Sequence, residues 1–159
     1  MSEPTLHPDF RDLLVELRRA EVRFLIVGAH ALAVHGVPRA TGDLDLFVAR
    51  DGDNPERLVR ALASFGASLA SHGVTRADFE RAGMVYQLGL PPRRIDLMTS
   101  ISCVEFHDAE QAAVLTEIDG MQLPVLGRRH LVANKLASGR PKDVVDAELL
   151  EEGDRRESW

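Results

Sequence analysis

Cysteine is almost missing from this chain: 159 residues contain only Cys103. An internal disulfide is therefore excluded, and no cysteine–histidine group has the spacing of a structural zinc site. That usage fits a reducing compartment, and the cytoplasm is the expected location. Aromatic residues make up 5% of the chain, too few to argue for a base-stacking surface. Positive charge is also short, with 19 Lys and Arg against 25 Asp and Glu and a formal net charge of −6. This excludes binding nucleic acid with the whole surface and leaves room only for a local basic groove. No apolar run approaches a membrane span, and the opening MSEPTLHPDF has no basic region followed by an apolar one, so neither membrane nor targeting signal is expected. Internal repeats, low-complexity segments, a Walker A sequence and a GxGxxG turn are all absent. The length suits one domain over residues 1–159, with a core from about 10 to 150 and a charged, mobile tail from Gly153.

What is present is concentrated in residues 22–48, VRFLIVGAHALAVHGVPRATGDLDLFV. Val22 to Val27 are apolar apart from Arg23, which describes a buried strand. It ends on Gly28, and the small residues Ala29 to His35 predict a tight turn directly into a short helix. After a loop from Gly36 to Gly42, which includes Arg39 and Thr41, Asp43 to Val48 alternates. Both carboxylates, Asp43 and Asp45, fall on one strand face and Leu44, Leu46 and Val48 on the other. Carboxylates two residues apart on a strand stand roughly 6–7 Å apart by rise. They repel unless a divalent ion or basic groups lie between them.

The remaining pattern predicts a mixture of helices and strands. Phe10, Leu13, Leu14 and Leu17 recur at helical spacing after Pro8 and Asp9. Asn54-Pro55-Glu56 reads as an N-cap with proline at the first helical position, opening a helix that stops at Gly66. Thr75 and Asp78 form a capping signal. Strands are predicted over Met84–Leu90 and Arg93–Met98, the second placing Arg94, Asp96 and Met98 on one face. A helix over Ser102–Ala113 is followed by a hairpin turning at Asp119-Gly120, then by helices over Arg128–Ser138 and Lys142–Glu152. This order favours an α+β, or mixed α/β, domain with a central mixed sheet flanked by helices over a doubly wound sheet.

Three aspartates on strands, Asp43, Asp45 and Asp96, carry the strongest chemical signal. Hard oxygen ligands in such a group suit magnesium ions that bridge a nucleotide's phosphates. An isolated Asp-x-Asp reads more readily as turn residues or surface charges. The Gly28 turn upstream favours the site, because a backbone amide turn before paired carboxylates can hold a triphosphate together with its metal.

Gly28-Ala29, then Asp43-x-Asp45, then Asp96 on a later strand resembles the nucleotidyltransferase superfamily of the DNA polymerase β type. GAHALAVHGVPRATGDLDLFV and KLASGRPKDVVDAELL resemble its small bacterial branch related to the AbiEii abortive-infection toxins. The resemblance implies that Gly28 and Ala29 contact phosphate, that Asp43 and Asp45 bind Mg²⁺ or Mn²⁺, and that Asp96 is the third carboxylate, activating an acceptor hydroxyl. The substrate would be an NTP, and the acceptor an RNA such as transfer RNA, a protein or a small molecule. Many members have Gly-Ser or Gly-Gly where this chain has Gly28-Ala29. His30 or backbone amides would then replace the missing hydroxyl donor. The resemblance also sets Lys135 against the nucleotide, with Arg140, Lys142 and Asp143 as further candidates. The alternative is a nucleotide- or partner-binding module of the same fold without the chemistry, or a toxin–antitoxin component with a cognate partner.

Other charged groups read two ways. Arg140 and Lys142 also suit a solvated helix end, and Asp143 and Asp146 suit helix-start acids. Arg39, Arg93 and Arg94 either line an acceptor groove or are surface charges. His30 and His35 lie five apart, about 140° around a helix, so they make no zinc pair.

Overall fold

The computed structural model describes residues 6–39 and 42–157. Thr41, in the loop before the carboxylates, falls outside these residues. Six helices and six strands follow in the order α1 (Pro8–Arg19), β1 (Phe24–Val27), α2 (Gly28–Val34), β2 (Leu44–Val48), α3 (Asn54–Phe65), β3 (Val85–Leu88), β4 (Ile95–Met98), α4 (Phe106–Gln111), β5 (Val114–Ile118), β6 (Met121–Val125), α5 (Arg128–Ser138) and α6 (Pro141–Glu157). A 3-10 turn, Arg76–Glu80, precedes β3 and carries the capping box of Thr75 and Asp78.

All the strands belong to one sheet in the order β3-β4-β2-β1-β6-β5. It is mixed: β1 runs antiparallel to β2 and parallel to β6, while β2 runs parallel to β4. The central strand β1 is buried along its whole length. The expected alternation holds in β4, where Ile95 and Leu97 are buried and Asp96 and Met98 are not. Helix α1 packs on α3, and α5 on α6. Phe10, Leu13, Leu14 and Leu17 of α1 join Leu58 and Leu62 of α3 and the strand side chains in one apolar cluster.

Most elements differ by a residue or two from their predicted bounds, and the helices α3, α4 and α6 show the instructive departures. Helix α4 is shorter than Ser102–Ala113, because Phe106–Gln111 alone forms helical turns. Helix α6 continues through Gly153 to Glu157 rather than ending at Glu152. Asn54 is not the cap of α3; Asp53 holds that position, and Asn54 is the first helical residue. Its side chain is needed elsewhere. Asn54 Oδ1 accepts from the Arg23 amide at 2.6 Å, and Nδ2 donates to the Ala49 carbonyl at 2.8 Å and the Arg23 carbonyl at 3.1 Å. It thereby pairs the backbone where β1 begins and β2 has ended, in a place that is 2% exposed. Loss of these three bonds makes Asn54→Ala cost roughly 2–3 kcal/mol in urea unfolding, since the amide and carbonyls lose their partners. A cost below about 0.5 kcal/mol, in the range of an ordinary surface change, would show that water replaces the side chain.

Arg23, the one charged residue in the β1 stretch, is satisfied at its margin. It donates to both oxygens of Glu110 at 2.9 Å, reaches Asp51 at 3.2 Å and lies 5.4 Å from the centre of the Phe106 ring. This two-pronged pairing fixes α4 beside the start of the strand.

Candidate active site

The site forms where β1 ends and β2 and β4 begin. Val27 stands opposite Asp45 across the antiparallel pair, and Asp45 stands opposite Asp96 across the parallel pair. Gly28 leaves β1 with φ +68°, a left-handed conformation that glycine adopts without penalty. It has a second reason to lack a side chain. A Cβ there would lie 3.1 Å from Asp45 Cγ and would overlap the carboxylate oxygen Oδ2. The Asp45 carboxylate thus rests on the turn. Gly42 shows a similar constraint just upstream of the carboxylates, where a Cβ would run into the carbonyl of Pro92.

A cleft of about 500 Å³ opens over this turn, lined by Gly28, Asp45, Ser100, Asn134, Lys135 and Arg140, among others. Asp45 is held in a hostile environment for a charge. Burial, then the Asp96 and Asp43 carboxylates, push its carboxyl up to about 6, against the opposing pull of Arg94 and Lys135. Arg94 is the nearest compensation. Its Nε donates to Asp96 Oδ1 at 2.8 Å and Nη2 to Asp96 Oδ2 at 3.2 Å, while Nη2 lies 3.5 Å from Asp43 Oδ2. The Arg94 backbone amide also donates to Asp43 Oδ1 at 3.0 Å. Hydrogen bonding to Asp96, ahead of the charges of the aspartates, makes the guanidinium hold its proton more tightly.

The opposite wall comes from α5 and α6. Lys135 Nζ lies 3.4 Å from Asp143 Oδ1 and 3.9 Å from Asp146 Oδ2. Ser138 Oγ stands 2.5 Å from Asp143 Oδ2, and Arg140 Nε donates to the same oxygen at 2.9 Å. Burial favours the neutral Asp143 carboxyl, but the bond to Ser138 and the charge of Lys135 outweigh it and hold the group below its ordinary range. Asp146 is fully buried, and its Oδ1 takes both Nε and Nη2 of Arg39. Its Oδ2 has no hydrogen bond among the described residues and faces Lys135.

The structure brings together Gly28, Asp43, Asp45, Asp96 and Lys135 at one end of the sheet. Ala29 and His30 do not line the cleft. The His30 ring packs edge-on against Phe10 with centroids 6.0 Å apart, and its buried Nε2 has no hydrogen bond among the described residues. Burial lowers its affinity for a proton, while a hydrogen bond with the Asp43 backbone works the other way. Arg39 and Arg94 are part-exposed, and each is paired with an aspartate, Arg39 with the buried Asp146 and Arg94 with the half-buried Asp96. Arg93 is exposed. Asp146 was not distinguishable in the sequence from a helix-start acid. Its only signal is the three-residue spacing from Asp143, which puts both on one face of α6 below Lys135.

A family model of the AbiEii nucleotidyltransferase toxins of type IV toxin–antitoxin systems matches residues 12–157. The chain belongs to the AbiEii nucleotidyltransferase toxin family. Its AbiEii fold is shared with a Thermotoga maritima protein provisionally named a nucleotidyltransferase, whose crystal structure superposes with a TM-score of 0.57 over 96% of each chain at 16% identity. No curated protein matches. No helix among the described residues of this AbiEii chain is long and apolar enough to cross a membrane.

The donor chemistry of this AbiEii site fits a hard divalent cation. Asp43, Asp45 and Asp96 offer only carboxylate oxygens, and their mutual repulsion at Asp45 is what such an ion relieves. Among the described residues no three metal-ligating side chains converge around a common point. Arg94 pairs with both Asp96 and Asp43.

Proposed function

We propose that this protein moves a nucleoside monophosphate from an NTP to a hydroxyl acceptor and releases pyrophosphate. The observation that carries this reading is the stacking of the Asp45 carboxylate on the left-handed turn at Gly28, beside Asp96 and facing Lys135 across one cleft. Magnesium or manganese, held by Asp43, Asp45 and Asp96, would supply charge neutralisation of the phosphates and of the departing pyrophosphate. The residues do the positioning. Gly28 lets the phosphates approach the backbone without a side chain in the way. Lys135 faces them from α5, oriented by the buried Asp143 and Asp146. Asp96 orients the acceptor hydroxyl and accepts its proton as the oxygen attacks the α-phosphorus and the bond to pyrophosphate breaks. Membership of a type IV toxin–antitoxin family supports a cognate antitoxin as the biological partner. The cytoplasm is the compartment where NTP and such an acceptor are available.

Calorimetric titration of ATP, GTP, CTP and UTP with and without Mg²⁺ tests the site. The expected result is Mg²⁺-dependent binding of at least one nucleotide that disappears in Asp43→Asn/Asp45→Asn. Failure of every nucleotide to bind the folded wild type removes this reading. Binding without turnover over a broad set of hydroxyl acceptors favours the module that keeps the fold and lacks the chemistry.

A further inference from the structure

The proposed reaction does not explain why an arginine occupies the centre of the carboxylate group. Arg94 shares a strand face with Asp96, two residues away, so its side chain is delivered to the same end of the sheet. The guanidinium grips both oxygens of Asp96, touches Asp43 through Nη2 and fixes the other Asp43 oxygen through its own backbone amide. We infer that Arg94 is a resident counter-cation, a positioning residue whose guanidinium and the divalent metal occupy the carboxylate group in turn. This rests on the metal-dependent reading of the site.

The charges favour exchange over sharing. Each Asp96 oxygen already carries a guanidinium N–H, so an ion binding there would share that carboxylate with a positive charge at contact distance. A dication and a guanidinium on the same carboxylates also repel each other strongly in a half-buried setting. Arg94 is the group able to yield, because its side chain is 30% exposed and hangs on a flexible stem, whereas Asp96 is 13% exposed and fixed on the strand. Without the metal, Arg94 offsets part of the charge that the three aspartates confine. With the metal, the guanidinium is freed at the rim of a cleft that receives an anionic nucleotide.

Mn²⁺ titration followed by electron paramagnetic resonance compares wild type, Arg94→Gln and, for an equal loss of charge on the exposed face of α3, Arg60→Gln. Arg94→Gln is expected to bind Mn²⁺ at least about ten-fold more tightly, the effect of removing a competing charge within contact distance. Arg60→Gln should match the wild type. A second measurement needs no folded Arg94 variant: the Nε–H signal of Arg94 in ¹⁵N-arginine-labelled protein should be protected from exchange without metal and lose that protection on adding Mg²⁺. Equal or weaker Mn²⁺ binding by Arg94→Gln, or protection that persists at saturating Mg²⁺, overturns the exchange and leaves the metal site standing. If neither wild type nor Arg94→Gln binds Mn²⁺, the metal reading falls and the exchange falls with it.

Discussion

Asp45→Asn is expected to make the metal-free protein more stable at pH 8 by roughly 2–3 kcal/mol, while abolishing nucleotide transfer. The gain follows from the folded carboxyl lying near 6 against an ordinary value of 3.8, a shift caused first by burial and then by Asp96 and Asp43. For an acid raised on folding, the native state holds the proton over a pH range in which the unfolded chain has lost it. Stability is therefore greatest below the unfolded value, falls as pH rises from about 4 to about 6, and stays low above that window. Asparagine keeps the size of the side chain and cannot ionise, so the cost disappears. Urea unfolding at pH 5 and pH 8 reads this directly: the variant should gain much more over wild type at pH 8. Destabilisation of similar size at both pH values would show that Asp45 is a structural residue whose bonds matter more than its charge. Saturating Mg²⁺ should shrink the difference, because an ion that binds only the wild-type folded state restores what repulsion removed.

Gly28→Ala should be a strongly damaging change for a single methyl group. The left-handed backbone costs a non-glycine residue about 1–2 kcal/mol, and overpacking against the Asp45 carboxylate adds about 1–3 kcal/mol. The total expected loss is therefore roughly 2–5 kcal/mol in urea unfolding. The variant also pushes the carboxylate off the turn, so the fraction that remains folded should lose nucleotide binding. Gly36, with φ +85° and open space around it, is the comparison: Gly36→Ala meets only the backbone cost and should leave nucleotide binding intact. Equal loss of stability in the two variants would mean that Asp45 moves aside without resistance.

The order of elements was readable because the punctuation in this chain is strong. Gly28, Gly66 and Gly139 stop or turn elements where their left-handed backbone requires glycine, and Asp119-Gly120 closes the hairpin as its composition predicts. The pairing of Asp45 with Asp96 was accessible in kind, since both lie on alternating strands, but not in register. Sequence periodicity assigns a face and is silent about which strand lies alongside. The same limit hid the roles of Arg39 and Asp146, which lie 107 positions apart and meet only through the fold. Asn54 shows the opposite error, in which a good local cap signal yields to backbone groups of β1 and the segment after β2 that need its amide more. Lys135 lines the cleft, while His30 is drawn into packing against Phe10 by a first helix whose position no local pattern reveals.

The buried bond between Arg39 and Asp146 has a consequence for the order in which the protein becomes competent. Arg39 belongs to the loop that leads into the first two carboxylates, and Asp146 belongs to the last helix. The strands, Gly28 and all three aspartates have been synthesised well before Asp146 emerges from the ribosome. Until it does, Arg39 lacks its anchor and Lys135 lacks one of its two aspartates. A nascent or truncated chain thus carries the three carboxylates without the wall that faces them. The arrangement defers a finished site until α6 has followed the sheet out of the ribosome.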